Sequence, residues 1–295
     1  MARIAVVAVP FIRSADAHLF MEGTMQSLAR CRTSHTLDRI AIINDAGSDP
    51  RTRRWIETHF EYVEDNDSNI LARAWNKGIR LGFARGADYC LVINLDLLFH
   101  PDYLDNLVAF AEREPDALIW SGREWEEEAT LNRADLTGPA ISGGDFSAFL
   151  VDRRLFDLVG CFDESFAPAY FEDEDMRRRV NLHGFQLRGT PAARLYHFGS
   201  VTITSALASA IATGEIAQVR SFEVARRSAE RHYIRKWGGL PGQETCAQPF
   251  AWLSTRNVAW GDEALLSEEV PLRSSEMSAV LSERAERGED AQVAS

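Results

Sequence analysis

The chain of 295 residues has few cysteines, no excess of positive charge and no long apolar run. Its four cysteines, Cys31, Cys90, Cys161 and Cys246, make no Cys-x-x-Cys pair and follow no regular spacing, which speaks against a disulfide framework or a zinc ribbon. A reduced, cytoplasmic protein is the simplest expectation. Thirty-two basic residues face 44 acidic ones, for a net charge of −12. Such a chain has no general attraction for DNA, RNA or anionic lipid, although a local basic groove stays compatible with it. Half of that charge lies in residues 262–295, with nine acids against three arginines. No stretch is long enough to span a bilayer, and the apolar run near the N-terminus is too short for a signal peptide. No repeat of fixed period is visible.

What is present is organised around residues 89–104. Tyr89 to Ile93 is a short apolar run of the kind that forms a strand buried on both faces. It leads directly into Asn94-Leu95-Asp96, so an amide and a carboxylate stand at the carboxyl end of a core strand. Pro101 then stops any strand and opens a helical pattern through Leu104, Leu107, Val108 and Ala111. In open α/β sheets, ligands bind beyond the strand carboxyl ends. A carboxylate there suits a hard divalent cation held against phosphates, and it also suits a plain turn.

The remainder of the first 115 residues alternates strand and helix. Ile4 to Val9, ending at Pro10, reads as a first strand, followed by a helix from about His18 to Arg30. Arg39 to Ile43 is a second strand, closed by Asn44-Asp45-Ala46-Gly47, an Asx/Gly turn or a contact to a base or ribose. Glu61 to Asn66 is a shorter third strand. Asn69 is placed to N-cap a helix from Ile70 to Arg85, in which Asn76-Lys77-Gly78 lies mid-helix. Glycine there costs about 1 kcal/mol against alanine, so close backbone approach is its expected reason. The alternation predicts a Rossmann-like, mostly parallel central sheet flanked by helices.

After Glu114 the rhythm changes. Glu124 to Asp135 is polar and reads as a surface excursion, and Gly143-Gly144-Asp145 leads into a strand over Phe146 to Val151. Next come Gly160-Cys161-Phe162-Asp163-Glu164-Ser165-Phe166 and Tyr170-Phe171-Glu172-Asp173-Glu174-Asp175-Met176-Arg177-Arg178-Arg179. Acids followed by bases complement a helix macrodipole, and Asp175 with Arg179 has i,i+4 spacing. Aromatic Tyr170-Phe171, fused to Glu172-Asp173, predicts a partly desolvated carboxylate and hence a better base. Gln186 to Leu195 reads as extended, and His197 sits between Tyr196 and Phe198, structural or able to ligate a metal. A helical, Arg-rich stretch from about Ala206 ends at Trp237-Gly238-Gly239. Residues beyond about Gly261 read as a flexible or partly helical tail.

Taken in order, Gly160-x-Phe162-Asp163-Glu164-x-Phe166, Tyr170-Phe171-Glu172-Asp173-x-Asp175-x-x-x-Arg179, His197-x-x-Ser200 and Lys236-Trp237-Gly238-Gly239 resemble the family 2 glycosyltransferases of GT-A fold, nearest a bacterial and phage rhamnosyltransferase-like group. The resemblance covers roughly Ala2 to Thr202, and more loosely runs to Phe250. It implies a catalytic domain over 1–204, with a nucleotide-sugar half at 1–115 and an acceptor half at 116–204. A C-terminal helical extension at 205–260 and an acidic tail at 261–295 follow.

The resemblance also implies a role for each matched position. Asp173 is the base, with Glu172 beside it, and Asp45 meets the nucleotide base. Pro10, Asn44, Asn76, Lys77, Asn94 and Asp96 line the nucleotide-sugar site, and Gly144, Asp145, Tyr170 and Phe171 lie on the acceptor side. Asp96 and His197 would hold Mg²⁺ or Mn²⁺. The metal motif departs from the family pattern, since Asn94 stands where a second acid is common. The implied reaction is inverting transfer from a nucleoside-diphosphate sugar, UDP- or dTDP-linked, to an acceptor hydroxyl on a glycan, lipid-linked sugar, small molecule or modified nucleic acid. A homodimer through the C-terminal helices is compatible.

Two other readings stay open. A nucleotidyltransferase also uses an acidic metal site on such a sheet, but Pro10-Phe11-Ile12-Arg13-Ser14 lacks the glycines of a phosphate-binding loop. A non-catalytic nucleotide-sugar-binding protein of the same fold draws its support from Asn94.

Overall fold

The computed structural model describes residues 1–11, 15–44, 50–125, 141–142, 146–199 and 216–251. The apolar runs and amphipathic stretches fold as alternating strands and helices. They are β1 (Arg3–Ala8), α1 (Ala15–Ala29), β2 (Thr36–Ile43), α2 (Pro50–His59), β3 (Tyr62–Asp65), α3 (Leu71–Ala84) and β4 (Tyr89–Ile93). β1 pairs in parallel with both β2 and β4, and β2 with β3. Past Asp96 the chain forms a short strand the sequence did not announce, β5 (Leu97–Phe99), before α4 (Tyr103–Arg113). Pro101 and Asp102 make the turn ahead of that helix.

The second half adds β6 (Ala117–Trp125), β7 (Ile141–Ser142), β8 (Ala148–Asp152), α5 (Arg154–Leu158), α6 (Glu172–Leu182), β9 (Gln186–His197) and α7 (Ile216–Trp237). The nine strands form one sheet in the order β3-β2-β1-β4-β8-β6-β9-β5, with β7 on β9. β8 enters antiparallel to β4, with Ala148 opposite Ile93. One expectation is corrected here. Glu124 is not in a surface excursion, because β6 runs on to Trp125 with Glu124 paired to Leu195. Residues 126–135 of that excursion, like 136–140, 200–215 and the tail from 252, lie outside the described residues.

Successive side chains of a strand point to opposite faces, so each central strand feeds two cores. On one face Ile4, Val6, Leu91 and Ile93 pack against Met21 and Met25 of α1 and Leu104, Leu107 and Val108 of α4. On the other, Ala5, Val7, Cys90 and Val92 meet Trp75 and Ile79 of α3 and Met176 and Val180 of α6. The mid-helix glycines explain how closely α3 lies on the sheet. A Cβ on Gly78 would stand 2.3 Å from Val7 Cγ1, and one on Gly82 would stand 2.6 Å from Ala5 Cβ and 2.7 Å from Cys90 Sγ.

From β1 the chain winds outward through β2 and β3, then returns to the other side of β1 for β4. The order reverses between β1 and β4, and the crevice at their carboxyl ends is where such sheets bind ligands.

Candidate active site

Four parallel strands end side by side, and a polar framework continues beyond them. The Asn44 N–H donates to Pro10 O at 3.0 Å, the Asn66 N–H to Ile43 O at 2.8 Å and the Asn94 N–H to Ser147 O at 2.7 Å. Asn66 Nδ2 donates to Asn44 Oδ1 at 2.6 Å and to Ile70 O at 3.1 Å, while Asn44 Nδ2 donates to Asn69 Oδ1 at 3.2 Å. Asn69 therefore does not N-cap α3, whose cap residue is Ile70 with no side-chain cap bond. Its carbonyl is engaged by Asn44 instead. This neutral network fixes the edge on which Pro10, Asn44 and Asn94 sit. Asp45, expected at the nucleotide base, lies outside the described residues.

Asn76, expected at the nucleotide-sugar site, is a buried tether between α3 and the Phe162 loop. Its Nδ2 donates to Phe162 O at 2.9 Å and to Glu164 Oε1 at 3.1 Å, and its Oδ1 accepts the Phe162 N–H at 2.9 Å. Lys77 Nζ donates to Asp65 O at 2.7 Å and pairs with Glu64 at 2.9 Å, at the end of β3.

Asp96 and His197 come together because β5 is paired with β9. Leu97 lies opposite His197, and the Phe198 N–H donates to Asp96 O at 3.0 Å. His197 Nε2 then stands 3.1 Å from Asp96 Oδ1, and His197 Nδ1 is 3.4 Å from Glu124 Oε2. Asp96 is 6 % exposed. The donor set suits a small divalent cation. Two neighbouring donors held at about 2.1 Å around such an ion stand about 3 Å apart. A carboxylate on the far ring nitrogen is also the usual partner of a metal-ligating histidine. Among the described residues no group of three His, Cys, Asp or Glu side chains is arranged to hold a metal, so phosphate oxygens or water would have to complete the shell.

The acid-rich stretch opens α6 at Glu172. Just before it, Tyr170 and Phe171 adopt φ of 82° and 68°, a region that non-glycine residues enter only where the surroundings impose it. The desolvation expected beside these aromatics falls on Glu172, not on Asp173. Glu172 is 4 % exposed and its Oε2 has no hydrogen-bond partner. Burial, reinforced by the charge of Asp173, pushes its carboxyl up to about 8. Asp173 is only partly buried, and its Oδ1 accepts the Glu174 N–H at 2.9 Å. Asp175 is fully buried and pairs with Arg179 at 2.8 Å, the contact its spacing predicted.

The two acidic groups lie on the same edge of the sheet. β8 starts where β4 ends, so Ser147 bonds Asn94, and its neighbour Phe146 carries the Arg177 guanidinium at 5.5 Å from the ring centroid. Arg177 belongs to the first turns of α6. The loop before α6 reaches the same edge from another side, since Pro168 O accepts the Leu71 N–H at 2.8 Å. Gly144 and Asp145, expected on the acceptor side, lie outside the described residues, as does Ser200. Glu124 was missed by the sequence reading, which had no signal to extend β6 so far. Asn66 and Asn69 were missed as site residues because amides at strand ends are indistinguishable from ordinary turns.

Comparison with known proteins defines the class first. A crystal structure of S. aureus TarS superposes with a TM-score of 0.50 at 12% identity, covering 66% of this chain and 36% of that one. Structures of TarS residues 1–349, one alone and one in complex with UDP, align at 0.49 with 9% and 10% identity, each over 66% of this chain and 60% of theirs. The chain thus spans between about a third and three fifths of those chains. The architecture is the GT-A fold. A family model, Glycosyl transferase family 2, matches residues 14–172, and the chain belongs to that family. No curated protein matches it significantly.

Proposed function

We propose that the protein is an inverting, metal-assisted glycosyltransferase that moves a sugar from a nucleoside-diphosphate sugar, UDP- or dTDP-linked, to an acceptor hydroxyl. Family membership supports sugar transfer, and the observation that carries the site assignment is the Asp96–His197 pair at the β1/β4 switch point. Asp96 and His197 would hold Mg²⁺ or Mn²⁺, with Glu124 orienting the imidazole through Nδ1. When bound, such a cation neutralises charge developing on the departing diphosphate. Pro10, Asn44 and Asn94 then border the nucleotide on the edge that the asparagine network keeps rigid.

Asp173 is the base in this reading. Burial pushes the Glu172 carboxyl up to about 8, so it is largely protonated at neutral pH, and the base role is assigned to Asp173 beside it. The acceptor oxygen attacks the anomeric carbon from the face opposite the diphosphate. Its proton passes to Asp173 as the carbon–oxygen bond to the phosphate breaks, and the anomeric centre inverts. Tyr170 and Phe171 border the acceptor side. The Lys236-Trp237-Gly238-Gly239 ending supports membership in the rhamnosyltransferase-like group, and four free cysteines suit a cytoplasmic setting. Among the described residues no helix is long and apolar enough to cross a membrane. A homodimer through α7, where Val224 is exposed, belongs to the same reading and is checked by light scattering.

The test is a thermal-shift screen of nucleotide sugars with Mn²⁺, followed by assay of sugar release or transfer. Asp96→Ala is expected to abolish the metal-dependent part of nucleotide binding. Full activity of that variant in EDTA would remove the metal from the mechanism. Tight nucleotide-sugar binding without any turnover would favour a non-catalytic binder.

A further inference from the structure

The catalytic unit read from sequence ends near residue 204, yet side chains some 30 residues further on grip both flanks of the acid pair. Upstream of Glu172, Tyr170 and Phe171 pack in a cluster with Phe166 and with Ala229, Tyr233 and Trp237 of α7. The Phe171 and Tyr233 rings lie 5.6 Å apart, so α7 covers the two residues whose backbone is in the left-handed region. Downstream, Lys236 Nζ stands 2.7 Å from Asp175 Oδ1 and 2.6 Å from Asp163 Oδ2. Trp237 Nε1 donates to Asp175 Oδ1 at 2.8 Å. Lys236 is itself 6 % exposed.

The contacts close into a frame around the first turn of α6. The Asp175 N–H donates to Phe171 O at 2.9 Å, a bond that closes the first turn of α6. Arg179, paired with Asp175, also donates to Val159 O and Cys161 O, and so ties α6 to the loop that carries Asp163. Burial alone would raise the Asp163 carboxyl, but His232 and Lys236 beside it hold it well below the usual carboxylate range. Arg178 lies over the Trp237 ring at 5.0 Å and reaches Glu244, which accepts from Tyr233 Oη at 2.6 Å. Asp173 stands between Phe171 and Asp175, two residues from each. Its position is thus set by α7 from both sides.

We propose that Lys236 is a positioning residue for Asp173, so that the helix after residue 215 is an integral part of the acceptor half of the active site. The inference rests on the assignment of Asp173 as base. Lys236 touches neither donor nor acceptor in this scheme. It acts by joining Asp163 and Asp175, and so fixes where the first turn of α6 begins. The asparagine edge and the Asp96–His197 pair have their own anchors, so nucleotide binding does not depend on it.

The experiment is hydrolysis of a panel of UDP- and dTDP-hexoses with Mn²⁺, together with UDP affinity by calorimetry, for the full chain and four variants. Lys236→Met is expected to lower kcat on the order of 100-fold, as displacement of a catalytic group by an ångström does. Donor KM and UDP Kd are expected to stay within about twofold. Lys236→Arg is expected to recover part of kcat, and Trp237→Phe, which removes one donor to Asp175 and keeps a ring, to fall between. Unchanged kcat in Lys236→Met would overturn the inference, as would a parallel loss of UDP affinity, which would make α7 a general scaffold. If Lys236→Met does not fold, Trp237→Phe and Lys236→Arg carry the same two readouts. Asp173→Asn separates the levels. Activity equal to the parent in that variant removes the base assignment itself. Inactivity there, with Lys236→Met at full rate, removes only the positioning role.

Discussion

The edge that gathers Asn44, Asn66, Asn69 and Asn94 and the turn that presents Glu172 and Asp173 are built by opposite means. The first is neutral and held by amide and backbone hydrogen bonds alone. The Asn44, Asn66 and Asn69 amides bond one another and the backbone just past the strand ends, and the central strands β1 and β4 beneath are buried on both faces. The second is ionic and long-range, and Asp163, Asp175, Arg179 and Lys236 converge on it from three segments. A rigid sheet edge presents polar groups with little further support. A helix start with two carboxylates side by side and a left-handed approach needs outside cations and aromatic cover to persist. The contrast predicts that damage to the edge shows first in binding or stability, and damage to the turn first in turnover.

The largest effect that would sharpen this contrast is at Asp173. Asp173→Asn is expected to lower transfer by about 10²- to 10⁴-fold, the usual contribution of a general base, with UDP affinity retained. Loss of turnover and binding together, read by rate assay and calorimetry, would break the separation between the two regions. On the edge, Glu124→Gln is expected to weaken Mn²⁺ binding by about 10- to 100-fold, measured by electron paramagnetic resonance of free Mn²⁺ with UDP present. Unaltered affinity would show that the imidazole needs no carboxylate behind it.

Smaller effects concern stability. Gly78→Ala forces a methyl into Val7 and is expected to cost about 1–3 kcal/mol in urea unfolding, with little change in kcat once folded. The pH dependence tests the other region. In the folded protein Glu172 titrates near 8, against 4.5 for an ordinary glutamate. Between those values the folded state holds a proton that the unfolded state has lost, so stability falls as pH rises from about 4.5 to about 8. Glu172→Gln is expected to flatten that part of the profile and to be more stable than the parent at high pH, by thermal unfolding. An unchanged slope would mean that Glu172 ionises normally in its pocket.

Much of the fold was legible because its causes are local. The β-branched runs at Ile4 and Ile40, the buried run at Tyr89 to Ile93 and the helix from Leu71 each follow from side-chain periodicity over a few residues. Even Gly78 betrayed a close approach, since nothing else justifies glycine in mid-helix. The strand at Leu97–Phe99 was hidden because three residues beside a proline carry no period. Among the site residues, the acids were visible in sequence and their environments were not. Asp96 taken alone read as a turn residue, and it is β9 that brings His197 against it. Asn76 looked free for a ligand until the Phe162 loop closed over it.

Sequence alone determined the strand–helix alternation, the polar residues at the strand ends and the order of acidic motifs, because backbone propensity and hydrophobic pattern act within a few neighbours. Tertiary structure alone decided that Glu172 rather than Asp173 is the buried carboxylate, that Glu124 backs His197, and that Lys236 binds Asp163 and Asp175. Those outcomes depend on partners 73 and 101 residues apart along the chain, as Lys236–Asp163 and His197–Asp96 are. Burial and pairing set a carboxylate's charge and reach, and both are properties of the packed molecule rather than of any segment.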